Sequence, residues 1–363
     1  MRILSVRLWQ FRNYERLSLE AAKINIIEGD NAQGKTNLLE AVFMCCAGRS
    51  HRTARDRDLI MNGRQEALIR VDYERNGIHR IDIKLSAASK KRISEDGNAL
   101  RKIGELMGRI NCVMFAPEDL GLIKNGPSVR RRYMDIALSQ VSPGYFYALQ
   151  SYGRALIQRN LLLKGICYGK CDQETLPAWD EQLAVSGDAI IKERRAFVEN
   201  ISDMASEIHN AISGGEKLEI SYVCGTGEAE TAEALIQSRR TDIMRGATMR
   251  GAHRDDLKIL INGMDSRVFA SQGQQRTAAL SLKLAELEYI KLITGNTPIL
   301  LLDDVMSELD SKRRTALKSR FGGAQVFLTG TGADMNAEEF LAGAKRFLVK
   351  SGSIIPAERH GKV

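Results

Sequence analysis

The chain has 363 residues, 44% of them hydrophobic, with 53 Lys and Arg against 45 Asp and Glu for a formal charge of +8. It can bury a full core and has room for one large domain plus a smaller one, so it reads as globular. The modest basic excess favours polyanionic partners through counterion release, while the longest apolar runs fall far below the ~20 residues that span a bilayer.

At the start, Leu4, Val6 and Leu8 alternate with Ser5, Arg7 and Trp9, the period of a half-buried strand. Charge every few residues leaves no apolar block of the kind a signal peptide needs, so a soluble, cytoplasmic protein without membrane association is expected. Lys23 to Glu28 is an isoleucine-rich run, followed by a Gly-containing loop and then by helical spacing from Thr36 to Phe43. Two alternating stretches between Leu68 and Leu85 are split by Asn76-Gly77, a strong hairpin signal.

From about Val129 to Ile212 the chain reads as long amphipathic helices with scattered breakers such as Pro143 and Pro177. Gly214-Gly215 and Gly225-Thr226-Gly227 flank a return to strand-like sequence, and Leu257 to Ile261 with Asn262-Gly263 reads as a strand and turn. The last third holds a helix, Gln274 to Ile293, a buried strand, Ile299 to Leu302, and a further strand, Gln325 to Leu328. These patterns predict one domain built from two lobes, residues 1–118 and 246–363, with residues 119–245 as an inserted, mainly helical domain.

The six cysteines, Cys45, Cys46, Cys112, Cys167, Cys171 and Cys224, lack the paired CxxC spacing of a tetrahedral zinc site and read as reduced thiols. Cys167 and Cys171 are spaced for one helix face.

Gly29-Asp30-Asn31-Ala32-Gln33-Gly34-Lys35-Thr36 fits GxxxxGK[ST] and sits between a buried strand and a helix. In that context backbone N–H groups and the positive helix end surround phosphate oxygens. Lys35 then neutralises charge at the β- and γ-phosphates, and the Thr36 hydroxyl ligates Mg²⁺. Gly29, Asn31, Ala32, Gln33, Gly34, Lys35, Thr36 and Asn37 are the candidate ATP contacts. The carboxylates such a loop needs follow four consecutive aliphatics at Asp303-Asp304. That pattern suits a central parallel strand whose carboxyl end opens into the site. Asp303 is the candidate Mg²⁺ ligand, and Asp304 the group that polarises the attacking water.

Ser271-Gln272-Gly273-Gln274-Gln275-Arg276 precedes a helix just upstream of these acids, where ABC proteins carry their LSGGQ-like signature. A serine hydroxyl, a glycine backbone and a helix N-terminus together form a second phosphate surface, with Ser271 and Gly273 as its contacts. Taken alone, the same hexapeptide also reads as a helix N-cap. In ABC proteins the second surface faces a nucleotide held by another protomer, which implies an ATP-dependent homodimer. Ser307-Glu308-Leu309-Asp310 matches the D-loop pattern, with Asp310 contributing across the dimer. After the last predicted strand comes Thr329-Gly330-Thr331, where ABC proteins usually place a switch histidine. That departure argues against the alternative of a membrane transporter's ATPase subunit.

Further segments carry a resemblance over essentially the whole chain: Phe11-Arg12-Asn13-Tyr14, Gly48-Arg49-Ser50-His51-Arg52-Thr53, Phe115-Ala116-Pro117-Glu118, the stretch from Pro127 to Asp135, and Gly251 to Leu257. With GDNAQGKTNLLEA, SQGQQRT and LLLDDVMSELD, the sequence closely resembles the bacterial RecF family of DNA replication and repair proteins. The resemblance implies an α/β fold with an ABC-type P-loop ATPase head like those of SMC proteins. Such a head has a mixed sheet core with flanking helices and an antiparallel β subdomain, and carries an inserted helical lid.

It implies a weak ATPase used as a switch, with Lys35, Ser271 and Asp304 as catalytic residues, and ATP-driven dimerisation that clamps DNA. The partners it implies are double-stranded DNA, single-strand/double-strand junctions, RecR and, in many bacteria, RecO. By analogy with SMC heads, Arg12 approaches nucleotide phosphates and Glu118 stands where ABC proteins place a Q-loop glutamine. Lys90-Lys91-Arg92, Arg130-Arg131-Arg132 and Arg239-Arg240 are candidate DNA-backbone contacts.

Overall fold

The structure, a computed structural model, describes residues 1–331 and 343–356 without the Glu308 side chain. The chain forms two compact units, one joining Met1–Asp119 with Glu286–Val363 and the other spanning Leu120–Ala285.

The first part of unit 1 runs β1 (Arg2–Phe11), β2 (Tyr14–Glu20), β3 (Ile24–Glu28), α1 (Lys35–Ala47), β4 (Glu66–Glu74), β5 (Ile78–Ser86), β6 (Arg92–Glu95), β7 (Asn98–Leu100) and β8 (Cys112–Phe115). Unit 2 then contributes α2 (Gly121–Lys124), α3 (Pro127–Val141), α4 (Pro143–Cys167), α5 (Leu176–Ser213), β9 (Leu218–Val223), α6 (Thr231–Arg245), β10 (Asp256–Ile261), β11 (Met264–Asp265) and α7 (Ser266–Phe269). Helix α8 (Gln272–Thr294) runs on into unit 1. There β12 (Ile299–Leu302), α9 (Val305–Glu308), α10 (Ser311–Ser319), β13 (Val326–Gly330), β14 (Ala344–Lys350) and β15 (Ser353–Pro356) complete the described chain.

Among the described residues, unit 1 forms two six-stranded sheets. The mixed sheet has the order β15-β14-β3-β13-β12-β8, parallel from β14 through β8. Its central strands are apolar on both faces: Ile26, Ile27, Leu300, Leu301, Phe327 and Leu328 are all fully buried. A parallel strand covered on both sides needs that composition. The other sheet is antiparallel, in the order β2-β1-β4-β5-β6-β7. Helix α1 packs against β13 and β8 of the first sheet and β4 of the second. It is therefore apolar nearly all round, buried from Leu38 to Ala47. The fold class inferred from the sequence, a mixed-sheet ATPase head with an antiparallel β subdomain, is the one observed.

Some local expectations need correction. The ladder shifts register between Ile3 and Ser5, so Ile3, Val6 and Leu8 form the buried side, and Leu4 is only half-buried. Ser5 is buried with its hydroxyl donating to Asp72 at 2.7 Å, which removes the cost of placing a polar group there. Helix α4 ends at Cys167, and Cys171 lies in the turn beyond it, so the two thiols do not share a helix face. The expected boundary at 245 also falls inside unit 2, because β9 pairs antiparallel with β10 and draws residues 256–261 into that unit.

Unit 2 is organised by buried arginines. Arg159 on α4 donates to Asp180 at 2.6 Å and to Asp242 and Thr248 at 2.8 Å. Arg194 on α5 meets Asp255 at 2.6 Å and Asp135 at 2.8 Å. Buried charges persist only when paired and hydrogen-bonded, and these fix α3, α4, α5 and α6 to the segment before β10. The same logic corrects the reading of two basic clusters. Arg130 is buried in a bidentate pair with Asp256, and Arg239 reaches Asp180 at 2.7 Å.

Candidate nucleotide site

The phosphate loop leaves β3 at Gly29 and enters α1 at Lys35. Gly29 (φ 156°) and Gly34 (φ 118°) take backbone conformations that side chains disfavour, and neither has room for one. A Cβ on Gly29 would stand 2.4 Å from the Val349 carbonyl oxygen, and one on Gly34 would stand 2.6 Å from the Asn13 side chain. Helix α1 has no acidic residue in its first turn, so its positive end remains available to an anion.

Lys35 is only 4% exposed, and its Nζ donates to the carbonyls of Gly29 at 2.7 Å and Asp30 at 3.3 Å. The ammonium is thus held at the loop, 3.9 Å from Asp304 Oδ1. At the end of β12, Asp303 Oδ1 accepts from Thr36 Oγ1 at 2.9 Å and from Thr329 Oγ1 at 2.8 Å. Burial pushes the Asp303 carboxyl above the usual carboxylate range, the two hydroxyl donors pull it back, and the negative charges of Asp304 and Glu118 raise it further. A divalent cation would reverse that bias by favouring the carboxylate.

The donor set suits Mg²⁺, which takes one or two carboxylates and relies on substrate phosphates for further oxygens. Among the described residues no group of three or more His, Cys, Asp or Glu is placed to hold a metal by itself. Asp304 adopts left-handed backbone (φ 49°, ψ 18°), and its N–H donates to Thr329 Oγ1 at 3.0 Å. That turn sets the two neighbouring carboxylates apart: Asp303 is buried, whereas the Asp304 side chain is 37% exposed. Thr329, at the position where ABC proteins usually place a switch histidine, touches both acids.

Several supporting residues had no assigned role from sequence. Asn13, in the β1–β2 turn, donates to the Gln33 carbonyl at 2.7 Å and accepts from Asn37 Nδ2 at 2.8 Å. The Tyr14 hydroxyl donates to the Gly34 carbonyl at 2.9 Å. From the other side, the β14–β15 turn contributes the Ser351 N–H to Gln33 Oε1 at 2.5 Å and the Gly352 N–H to the Gln33 carbonyl at 3.3 Å. The phosphate loop is therefore gripped by two turns distant in sequence. Asn13→Ala removes two of these bonds at about 1 kcal/mol each. It is expected to raise the Kd for ATP by up to about 30-fold, the equivalent of those two bonds. Unaltered affinity in a fluorescent-nucleotide titration would show that the loop keeps its shape without Asn13.

Arg12 does not stand free at a strand end. Its guanidinium makes a bidentate pair with the fully buried Glu40 of α1, both bonds at 2.9 Å, and donates to the Asp58 carbonyl at 2.8 Å. Burial pushes the Glu40 carboxyl up, but the donors Arg12 and Ser50 outweigh it and hold the group below the ordinary range.

In unit 2, Ser271 caps α8: its Oγ accepts from the Gln274 N–H at 3.2 Å, while Gln274 Oε1 accepts from the Ser271 N–H at 2.8 Å. This reciprocal box is the N-cap reading of the hexapeptide, and it presents an exposed serine at a helix end with no acid in its first turn. Asp310 caps α10, accepting from the Arg313 N–H at 2.9 Å, and pairs with the Arg313 side chain.

The chain matches the family described as "RecF/RecN/SMC N terminal domain" over residues 2–339. It is 48% identical to the DNA replication and repair protein RecF of Lachnoclostridium phytofermentans over 337 residues, covering 92% of this chain and 94% of the relative. Among solved structures it resembles the recombination mediator protein RecF-ATPrS of the RecFOR pathway, with a TM-score of 0.91, 37% identity and 98% of each chain covered. An SMC head bound to the C-winged helix domain of ScpA shares the fold alone, with a TM-score of 0.58 at 15% identity over 99% of this chain and 98% of that one.

Proposed function

The chain belongs to the RecF family of DNA replication and repair proteins, and on that premise we propose an ATP-gated clamp on DNA that closes when two copies share two nucleotides. The observation that carries this reading is the meeting of Lys35, Thr36, Asp303, Asp304 and Thr329 at one loop. The triphosphate lies along the loop backbone from Gly29 to Thr36, with Asn31, Ala32, Gln33 and Asn37 lining its path. Lys35 neutralises the β- and γ-phosphates. Thr36 and Asp303 hold Mg²⁺, which supplies positive charge at the phosphate oxygens when bound. Asp304, more exposed than its neighbour, accepts a proton from the attacking water.

Ser271 and Gly273 of a second copy complete the γ-phosphate shell, and Asp310 contributes across the interface. Turnover is weak because the nucleotide serves as a switch: ATP favours the closed pair and hydrolysis releases it. The clamped substrate is double-stranded DNA, including junctions with single strands. In recombinational repair the clamp works with RecR and RecO. The transporter alternative finds no support, since the relatives are DNA replication and repair proteins. No helix among the described residues is long and apolar enough to cross a membrane.

Duplex binding followed by fluorescence anisotropy tests the reading. ATP with Mg²⁺ is expected to tighten binding at least fivefold over nucleotide-free protein, and equal affinity in the two conditions would contradict a gate.

A further inference from the structure

Directly after α1, the loop from Arg49 to Arg57 carries Arg49, Arg55 and Arg57 exposed to solvent. The loop is fixed from below. Ser50 Oγ accepts from the N–H groups of Arg52 at 2.9 Å and Thr53 at 3.1 Å, and donates to buried Glu40 at 2.5 Å. The Thr53 hydroxyl donates to Asp58 at 2.7 Å. The turn Asp56–Leu59 packs on β5, and Lys91, between β5 and β6, reaches Asp56 at 3.1 Å. That ion pair offsets the only negative charge between Arg55 and Arg57.

Beside the loop, Lys84, Lys90 and Arg92 are exposed, and Lys84 stands directly opposite Arg92 in the β5–β6 ladder. Like charges facing each other across a ladder cost stability, and an anion between them relieves that cost. Among the described residues none of Arg49, Arg55, Arg57, Lys84, Lys90 and Arg92 has a carboxylate partner. The contrast with Arg130 and Arg239, both committed to aspartates, singles out this face.

We propose that the Arg49–Arg57 loop and the β5–β6 hairpin form a surface for the phosphodiester backbone of duplex DNA, an assignment that rests on the DNA-binding reading above. Guanidinium groups fit phosphate oxygens bidentately. Neither segment contains Phe, Tyr or Trp, and the His51 ring packs edge-on against Phe43, which favours a duplex backbone over stacked unpaired bases. Anchoring through Ser50 and Glu40 ties the surface to the phosphate-loop helix and reduces the ordering cost of binding.

The test uses the full chain with a fluorescein-labelled duplex, ATP and Mg²⁺ over a KCl series. Arg55→Glu/Arg57→Glu and Lys90→Glu/Arg92→Glu are each expected to weaken duplex binding about 10-fold or more and to lower the salt slope by about 1 to 2. Affinity for a fluorescent ATP analogue stays at the wild-type value. The glutamine versions of both pairs guard against misfolding and should show a smaller loss of the same sign. Wild-type duplex affinity and salt slope in variants that still bind nucleotide would overturn the surface alone. A wild-type protein that binds no duplex would overturn the DNA-binding reading with it.

Discussion

Asp304→Asn is expected to slow ATP hydrolysis by about 10²- to 10⁴-fold, the usual contribution of a positioned general base, while changing ATP affinity little. The substitution suits this position for two reasons. Asparagine tolerates left-handed backbone, so the turn at φ 49° and the N–H bond to Thr329 can persist. The amide also keeps the size of the carboxylate but cannot accept the water's proton. Asp303→Asn should behave differently, because Asp303 is the buried acceptor of both Thr36 and Thr329. Its loss should appear as weaker Mg²⁺-dependent nucleotide binding. Single-turnover hydrolysis separates the two. A normal rate in Asp304→Asn would remove that residue from the chemistry.

Lys35→Ala is expected to weaken ATP binding by about 100- to 1,000-fold. Hydrogen bonds to charged groups contribute about 1.5–3 kcal/mol each, and the proposed site gives the ammonium two phosphates to bind. The alanine chain would also leave the Gly29 and Asp30 carbonyls without their donor and remove the positive charge nearest Asp304. Alanine is the best helix former, so α1 should survive, and circular dichroism can verify it. A loss below about tenfold would place the phosphate-binding charge elsewhere.

Local features were legible in the sequence because their signals are local. The buried strand read at Ile299 to Leu302 is β12, and Asn76-Gly77 turns the β4–β5 hairpin with both residues at positive φ. Thr36 and Asp303 could be nominated together because each sits at a fixed place in its own motif, although their bond spans 267 positions. What supports them was not legible. Asn13, Ser351 and Gly352 act on Gln33 only through the packing of two turns on the loop, and no periodicity reports that. Charge runs misled for a similar reason. Arg130 looks like part of a solvated basic patch until Asp256, 126 positions away, folds against it. The inserted unit extends past 245 because strand pairing between β9 and β10 outweighs the change in composition there.

In the proposed clamp the phosphate loop completes its chemistry only against a second copy of the chain. The most direct measurement is the solution mass of Asp304→Asn, by light scattering after size exclusion, with and without ATP and Mg²⁺. A stable dimer of this 40.4 kDa chain is expected with ATP, reverting to the nucleotide-free mass when ATP is withdrawn, and no such shift when Ser271→Arg is added. An unchanged mass with nucleotide bound would contradict it.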